Sequence, residues 1–224
     1  MALFIVNFKS YNEALGLRGE AIAKAAKLAA DRFGVNIAIA PAFSDIRLFS
    51  NIVPVIAQHI DPVEPGAHTG SITAESVKEA GAIGTMINHS EKRIGLKEME
   101  TCIMRAKQNG LMVICCSSSP QESETFAKFK PDYILIEPPE LIGGNNSISK
   151  TRPDVITETV RLVKAINESV GVICGAGVSS RSDSLIAKQL GAAGVAAASA
   201  IVKSRRPQDV IEDIASGLCS RDFV

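Results

Sequence analysis

The sequence has no excess of charge of either sign. Lys and Arg together number 24 and so do Asp and Glu, which makes the formal net charge zero. Proteins that hold nucleic acid or an anionic membrane through their overall charge need a basic excess, and this chain has none. We therefore expect no nucleic-acid partner and no membrane partner. Any anionic ligand must be held by a local site.

The sequence also lacks long apolar runs and segments that would mark a domain boundary. No run approaches the ~20 apolar residues that a membrane-spanning helix needs. The apolar start at residues 1–7 is too short, and lacks the basic leader, to be a secretory signal. No Ser/Gly-rich linker, charge block or low-complexity tract interrupts the chain. We expect a cytoplasmic protein whose residues 1–224 form one domain.

Cysteine is present but lacks the spacing that disulfide frameworks and metal sites require. The five cysteines are odd in number, form no Cys-x-x-Cys pair and have no histidine at metal-ligand spacing. Cys115, Cys116 and Cys174 lie inside apolar runs and are expected to be small buried hydrophobic residues. Neither a metal nor a cofactor is expected.

Eight short apolar runs alternate with eight stretches of helical spacing. The apolar runs are rich in Val and Ile and are continuous, which is typical of strands buried on both faces. They cover residues 3–6, 36–40, 55–58, 85–87, 111–115, 133–136, 172–174 and 194–197. The helical stretches cover residues 17–33, 44–51, 73–80, 96–109, 120–128, 153–167, 179–190 and 208–217. Ser44 and Ser179 are placed to cap the starts of two of these helices.

Repeated right-handed β-α crossovers produce a parallel sheet that is either open or closed. An open, doubly wound sheet would be expected to carry a Gly-rich phosphate loop after its first strand. Here the first strand is followed instead by Asn-Phe-Lys-Ser at 7–10. The pattern therefore favours a single-domain α/β fold of the (β/α)8 or TIM-barrel type, with eight parallel strands.

Glu137 is the most informative strand-end residue. It directly follows the apolar run 133–136, and Pro138 disfavours the helical conformation at Glu137 and holds it extended. The pair Pro138-Pro139 stiffens one end of the next loop, and Gly143-Gly144 leaves the other end flexible. This is the build of a lid hinged beside a catalytic base. Barrel enzymes place their catalytic groups at such carboxyl ends of strands.

Three strand-end segments together resemble the triosephosphate isomerase family, in the short form found in archaea. The segment Asn7-Phe8-Lys9 is similar to the family's Asn-x-Lys. The segment 88–93, Asn-His-Ser-Glu-Lys-Arg, resembles its His-Ser-Glu-Arg-Arg, and the segment 137–143, Glu-Pro-Pro-Glu-Leu-Ile-Gly, is similar to its base-plus-lid signature. The segments occur in the family's order after strands one, four and six, and the match runs nearly end to end.

The resemblance implies an enzyme that interconverts glyceraldehyde 3-phosphate and dihydroxyacetone phosphate through an enediolate, in glycolysis and gluconeogenesis. Glu137 would be the base that moves the proton, and a neutral His89 would polarise the substrate oxygens. Lys9, beside Asn7, would supply the cation that favours the anionic substrate. Glu91 would support Lys9 and relay protons. This chemistry needs a base within hydrogen-bond reach of the carbon acid and a donor where charge develops on oxygen.

The resemblance also implies a phosphate grip and a subunit interface. The phosphate would be bound by backbone N–H groups of Gly143, Gly175, Gly177, Ala198 and Ser199. Ile142 would lie beside them on the lid. The segment 65–70 resembles the loop that family members insert into a neighbouring subunit. We therefore expect Thr69 to meet Asn7 and Glu91 of another chain, in a homodimer at least, with tetramers left open.

Two other functions stay open at this point. One is another reaction on a phosphosugar, such as an aldolase in which Lys9 forms a Schiff base. The other is a barrel that binds phosphate without catalysis. His59 is expected to be a hydrogen-bonded residue at a strand end and not a catalyst, because His89 already supplies the imidazole.

Overall fold

A computed structural model describes residues 2–141 and 147–219, and the predicted barrel is confirmed. All the strand pairings in its sheet are parallel. The strands are β1 (Leu3–Asn7), β2 (Asn36–Ala40), β3 (Ile56–Ala57), β4 (Gly84–Ile87), β5 (Met112–Ser117), β6 (Tyr133–Ile136), β7 (Gly171–Cys174) and β8 (Gly194–Ala197). Each lies within about two residues of the predicted limits.

The sheet curls until its two edge strands meet. The hydrogen-bonded order is β2-β1-β8-β7-β6-β5-β4-β3, so β2 and β3 are the two edges. A parallel bridge pairs Ile39 with Val55, and the Ile39 N–H donates to the carbonyl of Pro54 at 3.0 Å. The barrel is therefore nearly closed, and the open doubly wound alternative is wrong.

Helices follow the strands and surround the barrel. They are α1 (Glu20–Phe33), α2 (Ile46–Phe49), α3 (Ala74–Glu79), α4 (Leu96–Gln108), α5 (Pro120–Ala127), α6 (Ile148–Thr151), α7 (Pro153–Ile166), α8 (Arg181–Gln189), α9 (Ser199–Val202) and α10 (Pro207–Leu218). Single 3-10 turns cover Asn12–Ala14, Gly16–Gly19, Phe43–Asp45 and Pro139–Leu141. Within residues 2–141 and 147–219, no helix has both the length and the apolar character to cross a membrane.

Two of the predicted helix caps need correction. Ser180, and not Ser179, is the N-cap of α8, and its hydroxyl accepts from the N–H of Asp183. Ser44 lies inside a 3-10 turn that precedes α2, so its hydroxyl does not cap that helix. The glycine stop after α1 is confirmed, since Gly34 adopts the left-handed conformation with φ of 62°.

The apolar core has two layers, one inside the barrel and one between the barrel and the helices. Side chains alternate along a strand, so β1 sends Leu3 and Ile5 inward and Phe4 and Val6 outward. The inner layer consists of Leu3, Ile5, Ala38, Ala40, Ile56, Met86, Ile114, Cys116, Leu135, Ile173 and Ala196. The next inward positions after Ile5 and Leu135 are Asn7 and Glu137. The alternation therefore brings both side chains to the mouth of the barrel.

Candidate active site

Two adjoining cavities open at the carboxyl ends of the strands. The larger, about 350 Å³, is lined by residues that include Asn7, Lys9 and Glu137. The smaller, about 230 Å³, is lined by residues that include Asn7, Lys9 and His89. Met86 lines both, and Leu135 lines the larger. The site is thus a cleft of small-molecule size with an apolar floor and a few convergent polar groups.

Glu137 and His89 face each other across this cleft from the ends of β6 and β4. The Nε2 atom of His89 lies 3.2 Å from Oε2 of Glu137, and both side chains are largely buried. This distance suits a hydrogen bond, but the orientation does not, and neither atom has a hydrogen-bond partner among the described residues. A buried donor and a buried acceptor without partners are costly, which indicates that a ligand group belongs between them.

A hydrogen bond to Nδ1 of His89 determines which ring nitrogen can donate. Its Nδ1 accepts from the backbone N–H of Glu91 at 3.2 Å, so Nδ1 carries no proton. The carboxylate of Glu91 lies 3.6 Å from Nδ1, beyond hydrogen-bond reach. The ring nitrogen that can donate is therefore Nε2, which is directed at the cleft. A turn closed by Lys92 N–H and His89 O supplies this geometry, whereas the helix α4 starts later, at Leu96.

Lys9 is held in an unusual backbone conformation at the edge of the cleft. Its φ is 48°, in the left-handed region that non-glycine residues seldom adopt. The side chain of Asn7 accepts from the Lys9 N–H at 2.9 Å, and the Gln58 amide donates to the Lys9 carbonyl at 2.8 Å. The ammonium meets Oε1 of Glu91 at 2.9 Å. Both backbone groups and the head group of Lys9 are therefore fixed.

Gly175, at the end of β7, makes room for the carboxylate of Glu137. A Cβ atom on Gly175 would lie 2.4 Å from Cγ and 2.7 Å from Oε1 of Glu137, too close without a shift. The Gly175 N–H donates to the carbonyl of Ile136 at 3.0 Å. The structure thus places Gly175 beside the base, with its N–H engaged in the barrel, and not as a free phosphate donor.

The other predicted phosphate contacts lie in the larger cavity, except those outside the described residues. Gly177, Ala198 and Ser199 line it, from the loops after β7 and β8. Gly177 has φ of 71°, which glycine adopts without strain. The predicted roles of Ile142 and Gly143, together with the lid segment that contains them, fall on residues 142–146, outside the part that the structure describes.

Thr69 is exposed on the loop that follows β3, and it lines neither cavity. The base of the loop is fixed by Asp61 and Ile72. The Asp61 N–H donates to the Ile72 carbonyl at 2.8 Å, and the Ile72 N–H donates to the Asp61 carboxylate at 2.7 Å. His59 is buried and its Nε2 lies 3.1 Å from Asp61, so the prediction of a hydrogen-bonded residue at a strand end is confirmed.

Two residues of the site were not predicted as such from the sequence. Gln58 fixes the Lys9 carbonyl, and its position directly after β3 was the available signal. Tyr11 lines the larger cavity, and the Lys203 ammonium lies over its ring, 4.6 Å from the ring centre. No sequence motif marks a tyrosine in this role.

The cysteines take no part in the cleft chemistry. Cys102, Cys115, Cys116 and Cys174 are buried thiols outside any disulfide. Burial raises the pKa of Cys102 to about 12, so its reactive thiolate form is negligible at neutral pH. Among residues 2–141 and 147–219, no group of three or more His, Cys, Asp or Glu side chains is placed to hold a metal ion.

Comparison with known proteins gives one family. The family described as Triosephosphate isomerase matches residues 2–215 of the chain. A protein named triosephosphate isomerase from Methanocaldococcus jannaschii is 46% identical over 214 residues, which is 95% of this chain and 98% of the relative. Proteins of the same name from Methanothermobacter thermautotrophicus and Methanoculleus marisnigri are each 44% identical, over 96% and 95% of this chain and 94% and 96% of the respective relative.

Proposed function

Because the chain belongs to the triosephosphate isomerase family, whose reaction interconverts glyceraldehyde 3-phosphate and dihydroxyacetone phosphate in glycolysis and gluconeogenesis, we propose that Glu137, His89 and Lys9 carry out that reaction. Each reactive group sits at the carboxyl end of a different strand or strand loop. The observation that supports these roles most directly is the buried, unpartnered pair of Glu137 Oε2 and His89 Nε2, 3.2 Å apart. A substrate placed between them would meet a proton acceptor and a proton donor together.

The reaction moves one proton between neighbouring carbons. The Glu137 carboxylate removes the proton from the carbon next to the carbonyl. The C–H electron pair forms a carbon–carbon double bond, the carbonyl π electrons move onto oxygen, and an enediolate results. The Nε2–H of His89 donates to the oxygens on which negative charge develops. Glu137 then returns the proton to the adjacent carbon, while one proton passes from the hydroxyl oxygen to the former carbonyl oxygen through Nε2 of His89, so the atoms and charges of aldose and ketose balance.

Lys9 acts on the anionic substrate through charge. Its side chain is 16% exposed and its ammonium is held by Glu91, so the cation stays at the cavity edge when the substrate is absent. The phosphate lies against the loops after β7 and β8, where Gly177, Ala198 and Ser199 line the larger cavity.

The Schiff-base alternative has less support. Such an aldolase needs a neutral amine as its nucleophile. The Lys9 head group is instead engaged in an ion pair with Glu91 at 2.9 Å. Borohydride trapping in the presence of a ketose phosphate separates the two reactions, because an isomerase that uses Glu137 leaves no adduct on Lys9.

The proposal also covers how the subunits assemble and in which compartment the protein acts. The exposed Thr69 loop and the 58%-exposed side chain of Glu91 are consistent with a homodimer in which Thr69 meets Asn7 and Glu91 of the other chain. Tetramers built from such dimers are left open. Residues 1–224 would act as one catalytic domain in the cytoplasm, where glycolysis and gluconeogenesis take place.

A coupled assay with glyceraldehyde 3-phosphate tests the proposal. The pure, folded protein should produce dihydroxyacetone phosphate, and Glu137→Asp should lose about a hundredfold or more in kcat, because the carboxylate is withdrawn by about one bond length. The matched control is Glu158→Gln, an exposed acid on α7 paired with Arg161, which should keep full activity. Absence of turnover in the folded wild-type protein would refute the proposal.

A further inference from the structure

Asp183 is a buried carboxylate for which the proposed chemistry has no use. It lies in the first turn of α8 and is 2% exposed. Its Oδ1 accepts from the Ser147 hydroxyl at 2.7 Å and meets the Lys150 ammonium at 2.8 Å. Its Oδ2 accepts from the Ser179 N–H at 3.0 Å and from the Ser180 hydroxyl at 2.8 Å. Both oxygens are therefore fully engaged, each by a different segment of the chain.

The two segments belong to different strand loops. Ser147 precedes α6 and Lys150 lies within it, in the segment 147–150 between β6 and α7 along the chain. Ser179 lies in the loop after β7 and lines the larger cavity. A further hydrogen bond, from the Ile148 N–H to the Ala176 carbonyl at 3.2 Å, runs parallel to the carboxylate connection. Asp183 thus joins the connection after β6 to the cavity wall after β7.

The cavity wall that Asp183 holds is strained at one position. Ala176 has φ of 63°, a left-handed conformation that is unfavourable for alanine, and Gly177 follows with φ of 71°. Such a backbone persists only when its surroundings hold it in place. The Ile148 N–H holds Ala176 on one side, and the Asp183 carboxylate holds Ser179 on the other.

We propose that Asp183 is a positioning residue for the substrate phosphate: its carboxylate joins the segment 147–150 to the loop after β7 and so fixes the wall against which the phosphate binds. This inference rests on the proposed function, because it takes that wall as the phosphate site. Asparagine cannot replace the carboxylate. Its amide has one acceptor oxygen, so its NH2 group would face either the Lys150 ammonium or the Ser179 N–H, which can only donate, and one of these two contacts would be lost.

The test compares Asp183→Asn with Ser147→Ala, which removes only one donor. The control is Asp209→Asn, an exposed carboxylate in the first turn of α10. Three quantities are measured: the Kd for inorganic phosphate by titration calorimetry, kcat and KM for glyceraldehyde 3-phosphate, and methylglyoxal formed per isomerisation. Methylglyoxal forms when the site does not hold the phosphate of the enediolate in place. The C–O bond to the phosphate then breaks, inorganic phosphate leaves, and the remaining enol tautomerises to methylglyoxal.

We expect Asp183→Asn to raise the phosphate Kd and the KM by about fivefold or more, and the methylglyoxal fraction by about tenfold. Ser147→Ala should raise the Kd by about two- to threefold, as for loss of one hydrogen bond to a charged group. Asp209→Asn should match the wild type. If Asp183 only stabilises the fold, its substitution lowers the melting temperature but leaves all three quantities unchanged in the folded protein, and that result would overturn the inference.

If Asp183→Asn does not fold, Ser147→Ala decides: a wild-type phosphate Kd and methylglyoxal fraction would overturn the inference, and a rise in both would support it. Failure of the proposed function gives a different result. In that case the wild-type protein shows no isomerisation at all, whether or not it binds phosphate.

Discussion

Nε2 of His89 lies 3.2 Å from Oε2 of Glu137, across a gap that no described residue bridges. Glu91 fixes this arrangement, because its backbone N–H occupies the other ring nitrogen. A donor and an acceptor held apart in this way fit a reaction in which one proton leaves carbon while charge develops on oxygen. The donor role of Nε2 thus follows from a single backbone hydrogen bond to the other ring nitrogen.

Replacement of His89 by Gln should lower kcat by about 10²–10³, as expected for loss of a donor aimed at a developing oxyanion. KM should change much less, because the contact strengthens mainly in the transition state. Steady-state kinetics in the coupled assay measures both parameters. A variant with wild-type kcat and a raised KM would show that His89 only binds the substrate.

Replacement of Lys9 by Met should raise KM for glyceraldehyde 3-phosphate by about 10- to 100-fold, because a charge-assisted contact to the anionic substrate is lost. The salt dependence of kcat/KM should also become weaker, since added ions screen the attraction between the cation and the substrate. Kinetics between low and high ionic strength measures this effect.

The matched control for Lys9 is Lys24→Met, an exposed lysine on α1 paired with Glu20. It should leave both KM and the salt dependence unchanged. If the Lys9 and Lys24 variants behave alike, Lys9 is an ordinary surface lysine and has no role in substrate binding.

Replacement of Gly175 by Ala should reduce kcat by about tenfold or more, because the new Cβ would lie 2.4 Å from Cγ of Glu137 and displace the base. Gly95→Ala serves as the comparison, since the nearest heavy atom to its new Cβ is 3.5 Å away. Kinetics and thermal unfolding of the two variants should differ mainly in kcat. Equal kcat values would mean that Glu137 tolerates the displacement.

The stability of the protein should fall in acid as Asp183 gains a proton. Burial alone raises the pKa of Asp183, but the hydrogen bonds from Lys150, Ser147, Ser179 and Ser180 outweigh it and lower the pKa from 3.8 to about 2. A depressed pKa contributes stability above the unfolded-state value, and the contribution is lost as pH falls towards the folded-state value. The loss from Asp183 should be about 2 kcal/mol between pH 4 and pH 2.

Urea unfolding across this pH range measures that contribution. In Asp183→Asn the free energy of unfolding should be lower at neutral pH and should vary less with pH below 4. Identical slopes for the variant and the wild type would contradict the assignment of this stability to Asp183.

The sequence predicted those parts of the fold that depend on local pattern. The limits of β6 are as predicted, because Asp132 and Glu137 flank four apolar residues and Pro138 restrains the backbone that follows. β3 is shorter than predicted, with ladder pairing only at Ile56 and Ala57. Its length depends on contacts with neighbouring strands, which are not encoded in its own residues.

The residues of the site also divide into those that a local sequence pattern marks and those that depend on contacts between distant segments. Asn7, Lys9, His89 and Glu137 lie in short motifs, and the parallel strands bring them together at one end of the barrel. Asp183 had no such signal, because an acid in the first turn of a helix is common and its partner Ser147 is 36 positions away. The hydrogen bond from the Gly175 N–H to the Ile136 carbonyl also had no signal in the sequence, because it depends on pairing between strands.

Proton transfer by Glu137 is the central step of the proposed reaction. The measurement is the exchange of the carbon-bound proton of dihydroxyacetone phosphate with D2O, followed by proton NMR in the wild-type protein and in Glu137→Gln. We predict rapid exchange in the wild type and a loss of at least about 10³-fold in the variant, with phosphate binding retained. Exchange at the wild-type rate in folded Glu137→Gln would contradict the account, because another group would then be the base.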